Sequence, residues 1–357
     1  MPTFRTALLL SALFVLTALA QPVHAEEGDI SSTPWEYRLG EGMRIARTDF
    51  RLGGYLSSSF EDRTDRDGVF RFDDLSIFIF GDLSERWSLF SEFEDARFFM
   101  VPTKGEPSTQ ENWQIERLYV DHLYREKLNI RIGKFLTPIG TWNEIHADPL
   151  TWTASRPVVT YAAFPEFTTG VQLFGDVTAG DEEFAYSFVV QNNESINERT
   201  GFRKTHLMYA ARIKWFASPG LEVGIPFAYY TEREVNDKVY LTGAELTYKT
   251  SPVELRGEAT FSRVDIGNGG WTKEYGYYLQ AVYHQSNSLH LVLRHEYFRS
   301  RKRRGDHKAL SLAGVYKPLP QVVFKIEYQF RNGSLTLKDE EGVNDSDRFL
   351  ASFSVLL

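Results

Sequence analysis

The stretch VELRGEATFSR at residues 253–263 decides the fold. Val253, Leu255, Gly257, Ala259 and Phe261 alternate with Glu254, Arg256, Glu258, Thr260 and Ser262. Successive side chains on a strand point to opposite faces, so this segment has one apolar and one polar, charged face. Residues 289–298, LHLVLRHEYF, repeat the pattern: Leu289, Leu291, Leu293, His295 and Tyr297 oppose His290, Val292, Arg294, Glu296 and Phe298. Segments 207–215 and 324–331 do the same. Charges do not sit in hydrocarbon, so the charged faces belong in a water-filled lumen and the apolar faces against lipid. A transmembrane strand needs about 9–11 residues, which these segments supply.

Sixteen such segments are predicted: 49–60, 69–80, 87–96, 113–123, 128–137, 168–177, 183–192, 206–216, 221–231, 239–249, 253–263, 274–284, 289–299, 308–317, 322–331 and 347–357. Phe78 and Phe80 blur the alternation of the second, and Pro226 in the ninth removes a ladder donor and predicts a bulge. The fold class is therefore all-β, a transmembrane antiparallel barrel over residues 49–357. The connections alternate between short turns, such as 217–220 and 250–252, and long or polar loops, including 61–68, 138–167 and 332–346. That parity matches short periplasmic turns and longer external loops. Phe349, Ala351, Phe353, Val355 and Leu357 alternate to the last residue, like the terminal strand read by the outer-membrane assembly machinery.

Composition agrees once it is split by face. The 357 residues are 42% hydrophobic and carry a formal charge of −8, so the average hides two opposed surfaces. Cysteine is absent, which excludes disulfide scaffolds and thiolate metal sites. Aromatics reach 15%, and Trp87, Trp113, Trp215 and Tyr316 fall near predicted strand ends, as interfacial girdles require. Residues 1–25 read as a secretory signal: Arg5, an apolar run from Ala7 to Ala20, then Val23-His24-Ala25 before the cut. Residues 26–48 form an N-terminal periplasmic or lumen segment that plugs the mouth, lines the wall or meets a partner. The expected location is the bacterial outer membrane.

Residues 128–140, LNIRIGKFLTPIG, resemble the strand and run that precede the longest loop in porins of the phosphate-selective O/P type. The resemblance implies a sixteen-stranded channel, a homotrimer, passive diffusion and a loop folded into the pore. Loops as long as 137–167 are usually functional. Its candidate constriction residues are Glu144, His146, Asp148 and Arg156. Candidate lumen-wall residues are Glu92, Glu94, Arg131, Arg212, Lys214, Arg256 and Arg294. Opposed charges across a narrow passage sort solutes by charge and size. The mixture of signs does not make a strongly anion-selective filter. A general porin and a channel specific for phosphate, another oxyanion or a saccharide both stay open. Trp142 and Trp152 either stack sugars or anchor the loop.

Other readings are narrower. The basic run SRKRRGDH at 300–307 is read as contacting lipopolysaccharide phosphates, as drawing anions toward the mouth, or as solvated; an acidic exported chain does not suit nucleic acid. Asp339, Glu340, Glu341, Asp345 and Asp347 lack the spacing of a calcium loop. His122, His146, His206, His290, His295 and His307 read as isolated, so no metal site and no cofactor are expected. His284 and Ser286 resemble the His-x-Ser core of outer-membrane phospholipases, a remote enzyme alternative because the run falls on a short turn.

Overall fold

The structure, a computed structural model, describes residues 36–45, 48–110, 112–145, 147–193, 195–196, 203–301, 305–333 and 346–357. Sixteen long antiparallel strands form the wall: β1 (Phe50–Arg63), β2 (Arg66–Ser84), β3 (Trp87–Pro102), β4 (Trp113–Arg125), β5 (Leu128–Leu136), β6 (Phe167–Ala179), β7 (Glu182–Asn192), β8 (Thr205–Ser218), β9 (Leu221–Glu232), β10 (Lys238–Thr250), β11 (Val253–Asp265), β12 (Trp271–His284), β13 (Leu289–Arg299), β14 (Asp306–Leu319), β15 (Val322–Gly333) and β16 (Arg348–Leu356). Each pairs with its sequence neighbours. Pairing of β16 with β1, from Arg348↔Arg63 to Leu356↔Tyr55, closes the barrel and leaves no open edge.

All sixteen predicted segments are strands, and the alternation assigns their faces correctly. Leu291, Leu293, Ile213 and Ile326 are exposed, whereas Glu254, Glu258, Arg294 and Glu327 are buried. That inversion of a soluble protein is what a lipid-facing wall around a charged lumen produces. Trp87, Trp113, Trp215 and Tyr316 point outward at the two rims. Phe78 and Phe80 resolve as lumen-facing: they pair with Glu92 and Phe90 of β3, while Ile77 and Ile79 take the outer face.

Two expectations need correction. The first external connection is not a long loop but the pair Thr64-Asp65, because the polar residues around it join the ladder. Arg63 pairs with Arg66, and Glu61 gathers Arg63, Arg71 and Arg348. Pro226 makes no bulge. The register Gly224↔Glu245 resumes unchanged at Phe227↔Thr242, and only the intervening ladder contacts are omitted. Gly243 stands opposite, and a Cβ there would meet the proline ring at 3.0 Å, so glycine makes the room.

Of residues 26–48, Glu36–Arg38 and Gly42–Arg44 form a short hairpin. Its second strand adds to β1 through Met43↔Leu52 and Arg44↔Arg51.

Candidate functional site

The connection between β5 and β6 folds into the barrel as a hairpin running nearly the length of the lumen. Its neck is closed by Thr137, whose N–H donates to the Glu166 carbonyl at 2.8 Å and whose hydroxyl meets that of Thr168 at 2.8 Å. Asn143 Nδ2 donates to the carbonyls of Thr137 and Glu166. Arg156 donates to Asn143 Oδ1 at 2.9 Å and to the Thr160 carbonyl at 3.0 Å, and ion-pairs with Glu166.

The descending arm is clamped by carboxylates of the wall. Gly140 N–H donates to Glu245 of β10 at 2.8 Å, and Trp142 N–H to Glu258 of β11 at 2.7 Å. Gly140 has φ +80° and a Cβ would lie 2.4 Å from Glu258 Oε2, so only glycine allows this approach. Trp142 is buried in an apolar cluster with Phe135, Ile139, Phe164 and Tyr278. It anchors the loop rather than presenting a ring to solutes.

A short helix, α1 (Thr141–Glu144), carries Glu144 to the β8 wall. The carboxylate meets Arg212 at 2.6 Å and Lys214 at 3.6 Å. Burial opposes its ionisation, but Arg212 and then Lys214 outweigh burial and hold the carboxyl below its ordinary range. Arg212 also pairs with Glu245.

The bottom of the hairpin lies at the end with the short turns. Trp152 donates from Nε1 to Glu254, two residues past a short turn, at 2.9 Å. Its ring packs on those of His284 and His290, whose Nδ1 atoms are 2.9 Å apart. These histidines are therefore not isolated: strand register brings them together across residues 285–288. Lys317 lies 4.2 Å from the Trp152 ring centre. Lys325 reaches the carbonyl of Asp148 at 2.6 Å, its carboxylate at 3.5 Å and the Thr151 hydroxyl at 2.8 Å.

The ascending arm alternates. Thr151, Thr153, Ser155 and Pro157 are buried against the wall, while Trp152, Ala154 and Arg156 are half-buried. Arg294 of β13 donates to Ser155 and Thr153. Glu327 of β15 accepts from the Ser155 N–H at 2.9 Å and hydroxyl at 2.6 Å. Glu296 accepts from Val158 N–H at 3.3 Å. Tyr230 donates to the Ala163 carbonyl at 2.8 Å near the long-loop end, after α2 (Val159–Ala162).

Of the four loop candidates, the structure thus places Glu144 and Asp148 against wall cations and Arg156 within the loop. His146 lies outside the described residues. Arg212, Lys214 and Arg294 lie on the wall and touch the loop; Arg256 pairs with Glu254. Sequence reasoning missed Thr137, Asn143 and Glu166, which close the neck, and Glu245; it put Glu258, Glu296 and Glu327 on the lumen face without their bonds to the loop backbone. The i, i+2 hydroxyls of Thr151, Thr153 and Ser155 were the available signal for an extended, wall-bound arm.

The wall from β1 to β6 is covered differently. Arg131 of β5 forms a fork with Asp121 at 2.7 and 2.8 Å, and Arg117 pairs with Glu92. Glu94 accepts from Ser76 at 3.4 Å.

The basic run needs correction at Arg301. This residue turns inward and pairs with Glu232 at 2.5 Å and Asp237 at 3.4 Å, so it is neither solvated nor on lipid. His307 is buried beside Glu296 at 2.9 Å. Residues 302–304, 339–341 and 345 lie outside the described residues; Asp347 accepts from the Arg331 N–H. Ser286 Oγ accepts from the N–H groups of Ser288 and Leu289 and stabilises the turn.

A closed sixteen-stranded barrel with a charged lumen, an apolar outer band and aromatic rims defines an outer-membrane β-barrel porin. Residues 93–357 match the family described as "Putative beta-barrel porin-2, OmpL-like", and the chain belongs to it. Comparison with curated protein sequences finds no match. Among solved structures it is similar to an anion-selective porin from Comamonas acidovorans, with TM-score 0.65 and 10% identity, covering 87% of this chain and 100% of that one. The trimer form of OmpT, an outer membrane protein of Vibrio cholerae, gives 0.60 at 11%, covering 86% and 99%. OmpF of Salmonella typhi, in complex with daunomycin, gives 0.59 at 10%, covering 87% and 98%. At these identities the likeness is one of fold.

Proposed function

We propose that the chain is a weakly selective diffusion channel for small hydrophilic solutes and ions, with Glu144, Arg212 and Lys214 setting a transverse field beside the loop. The observation that supports this most is charge pairing along the wall. Arg131, Arg212 and Arg294 each meet a carboxylate within 3.5 Å, and Lys325 is held by Asp148. A filter for phosphate needs cations that its ligand can claim. The resemblance of residues 128–140 to phosphate-selective O/P porins favours that finer reading, but the pairing weighs against it. A homotrimer is expected from the resemblance and accords with the trimeric OmpT structure. Residues 1–25 act as a cleaved secretion signal, and the outer barrel face meets lipid and lipopolysaccharide. Single-channel recording in planar bilayers under a salt gradient tests the reading. Folded protein that opens no channels sinks it, and a reversal potential near that of a perfect anion electrode moves the assignment to the phosphate type.

A further inference from the structure

The loop hydrogen bonds that leave the neck run to β8–β15 and to Arg203 just before β8, and the opposite wall carries a different surface. Phe80, Phe90 and Tyr119 occupy paired positions on β2, β3 and β4. The Phe80 and Phe90 ring centres are 6.2 Å apart, and those of Phe90 and Tyr119 are 5.4 Å apart, with interplanar angles of 29° and 17°. Phe78 joins Phe90 at 5.7 Å and Tyr55 of β1 at 5.8 Å. Phe174 of β6 continues the strip beyond Arg131, whose guanidinium lies 3.9 Å from the Tyr119 ring centre and 5.4 Å from that of Phe174. Apart from buried Tyr55, these rings are half-buried.

These rings face the lumen, because the lipid side of the same strands is taken by Ile77, Ile79, Leu118, Ile130 and Ile132. A wall that only conducts ions gains nothing from an apolar strip in water, and such strips mark sites of contact. The two cations over its rings are paired in place. Arg117 lies 4.5 Å over Phe90 and is paired with Glu92; Arg131 is forked to Asp121. The strip therefore offers flat apolar faces edged by fixed donors and acceptors, with both cations already claimed by carboxylates.

We propose that this strip is a docking wall for neutral saccharides. Their C–H faces lie on the rings, and their hydroxyls exchange hydrogen bonds with the edges of the two ion pairs. The inference rests on the channel reading and names the solute class that its lumen holds.

The test is block of single-channel current by maltose, sucrose and cellobiose, using the full chain in planar bilayers. Each current is read relative to the same channel without solute. Block by at least one disaccharide is expected, and Phe90→Leu should weaken it about threefold to tenfold, the range for loss of one aromatic contact. Phe90→Tyr should keep it. Open channels that none of the three sugars blocks overturn the proposal, as does equal block in Phe90→Leu. Indole blocking where sugars do not would show an apolar site instead and would also overturn it. If Phe90→Leu does not assemble, Tyr119→Leu carries the same expectation, and block of the native channel alone still decides. Absence of any open channel would defeat the channel reading, a distinguishable outcome.

Discussion

Arg294 on β13 donates from Nη1 to the carbonyl of Ser155 at 2.8 Å, across 139 positions of sequence. The same guanidinium lies 3.5 Å from Glu327 and 3.7 Å from Glu296, fully buried. One wall cation thus neutralises two carboxylates that themselves hold the loop backbone. Arg294→Ala leaves both carboxylates buried without it. Removing one partner of such a network costs about 3–5 kcal/mol. The expected outcome is a lower heat-denaturation midpoint and a larger, noisier single-channel current as the hairpin leaves the wall. Native conductance together with native resistance of the loop to protease would show that Arg294 does not hold it.

Glu144 offers a cleaner electrostatic test, because it faces Arg212 and Lys214 while staying partly exposed. Glu144→Gln removes one negative charge beside two cations. The reversal potential should shift toward anions. The native selectivity should be nearly flat from about pH 8 to about pH 5, because the depressed carboxyl stays ionised through that window. The sign follows: a carboxyl whose folded pKa is lowered keeps its attachment above the ordinary value and loses it only as pH falls through the lowered one. Selectivity that titrates between those limits in native protein but not in Glu144→Gln would contradict this.

The paired histidines under Trp152 predict a mechanical response. The Trp152 ring packs on both imidazoles, which are joined by an Nδ1···Nδ1 hydrogen bond, and this holds the hairpin end to the wall. Glu254 on β11 and Lys317 on β14 complete the seat. His284→Ala with His290→Ala removes the surface on which Trp152 rests, so the hairpin end should loosen and current fluctuations grow. Current noise equal to native in the double variant would place the anchor elsewhere.

The barrel was legible because strand alternation is a local signal, and one segment such as 253–263 carries it alone. Phe78 and Phe80 confused it because period-2 patterning reports polarity, and an aromatic lumen face is not polar. The site was legible only in outline. Length and position marked the hairpin, and Glu144 and Asp148 were found as its charges. Its partners Glu245, Glu258 and Glu327 lie on strands 105 to 172 positions away. No local pattern reports which lumen carboxylate meets which loop N–H. The meeting of His284 with His290 was hidden for a milder reason: it depends on the register set by the turn between them.

Arg156 separates a structural from an electrostatic role for the loop. It was expected at a constriction, yet its guanidinium reaches Asn143 Oδ1, the Thr160 carbonyl and Glu166, all within the hairpin. A cation so engaged closes the neck and contributes little field to a passing ion. Arg156→Gln and Glu166→Gln should therefore damage the same property, the attachment of the hairpin, read as faster proteolysis between residues 137 and 167. Because both changes break one pair, the double variant should be no worse than the more damaging single one, a coupling of about 0.5–3 kcal/mol. Arg156→Lys should restore little, since an ammonium cannot span the three acceptors as a planar fork does. The reversal potential of channels that still assemble should stay near native. A shift toward cations in Arg156→Gln, with the neck still protease-resistant, would return Arg156 to the pore lining.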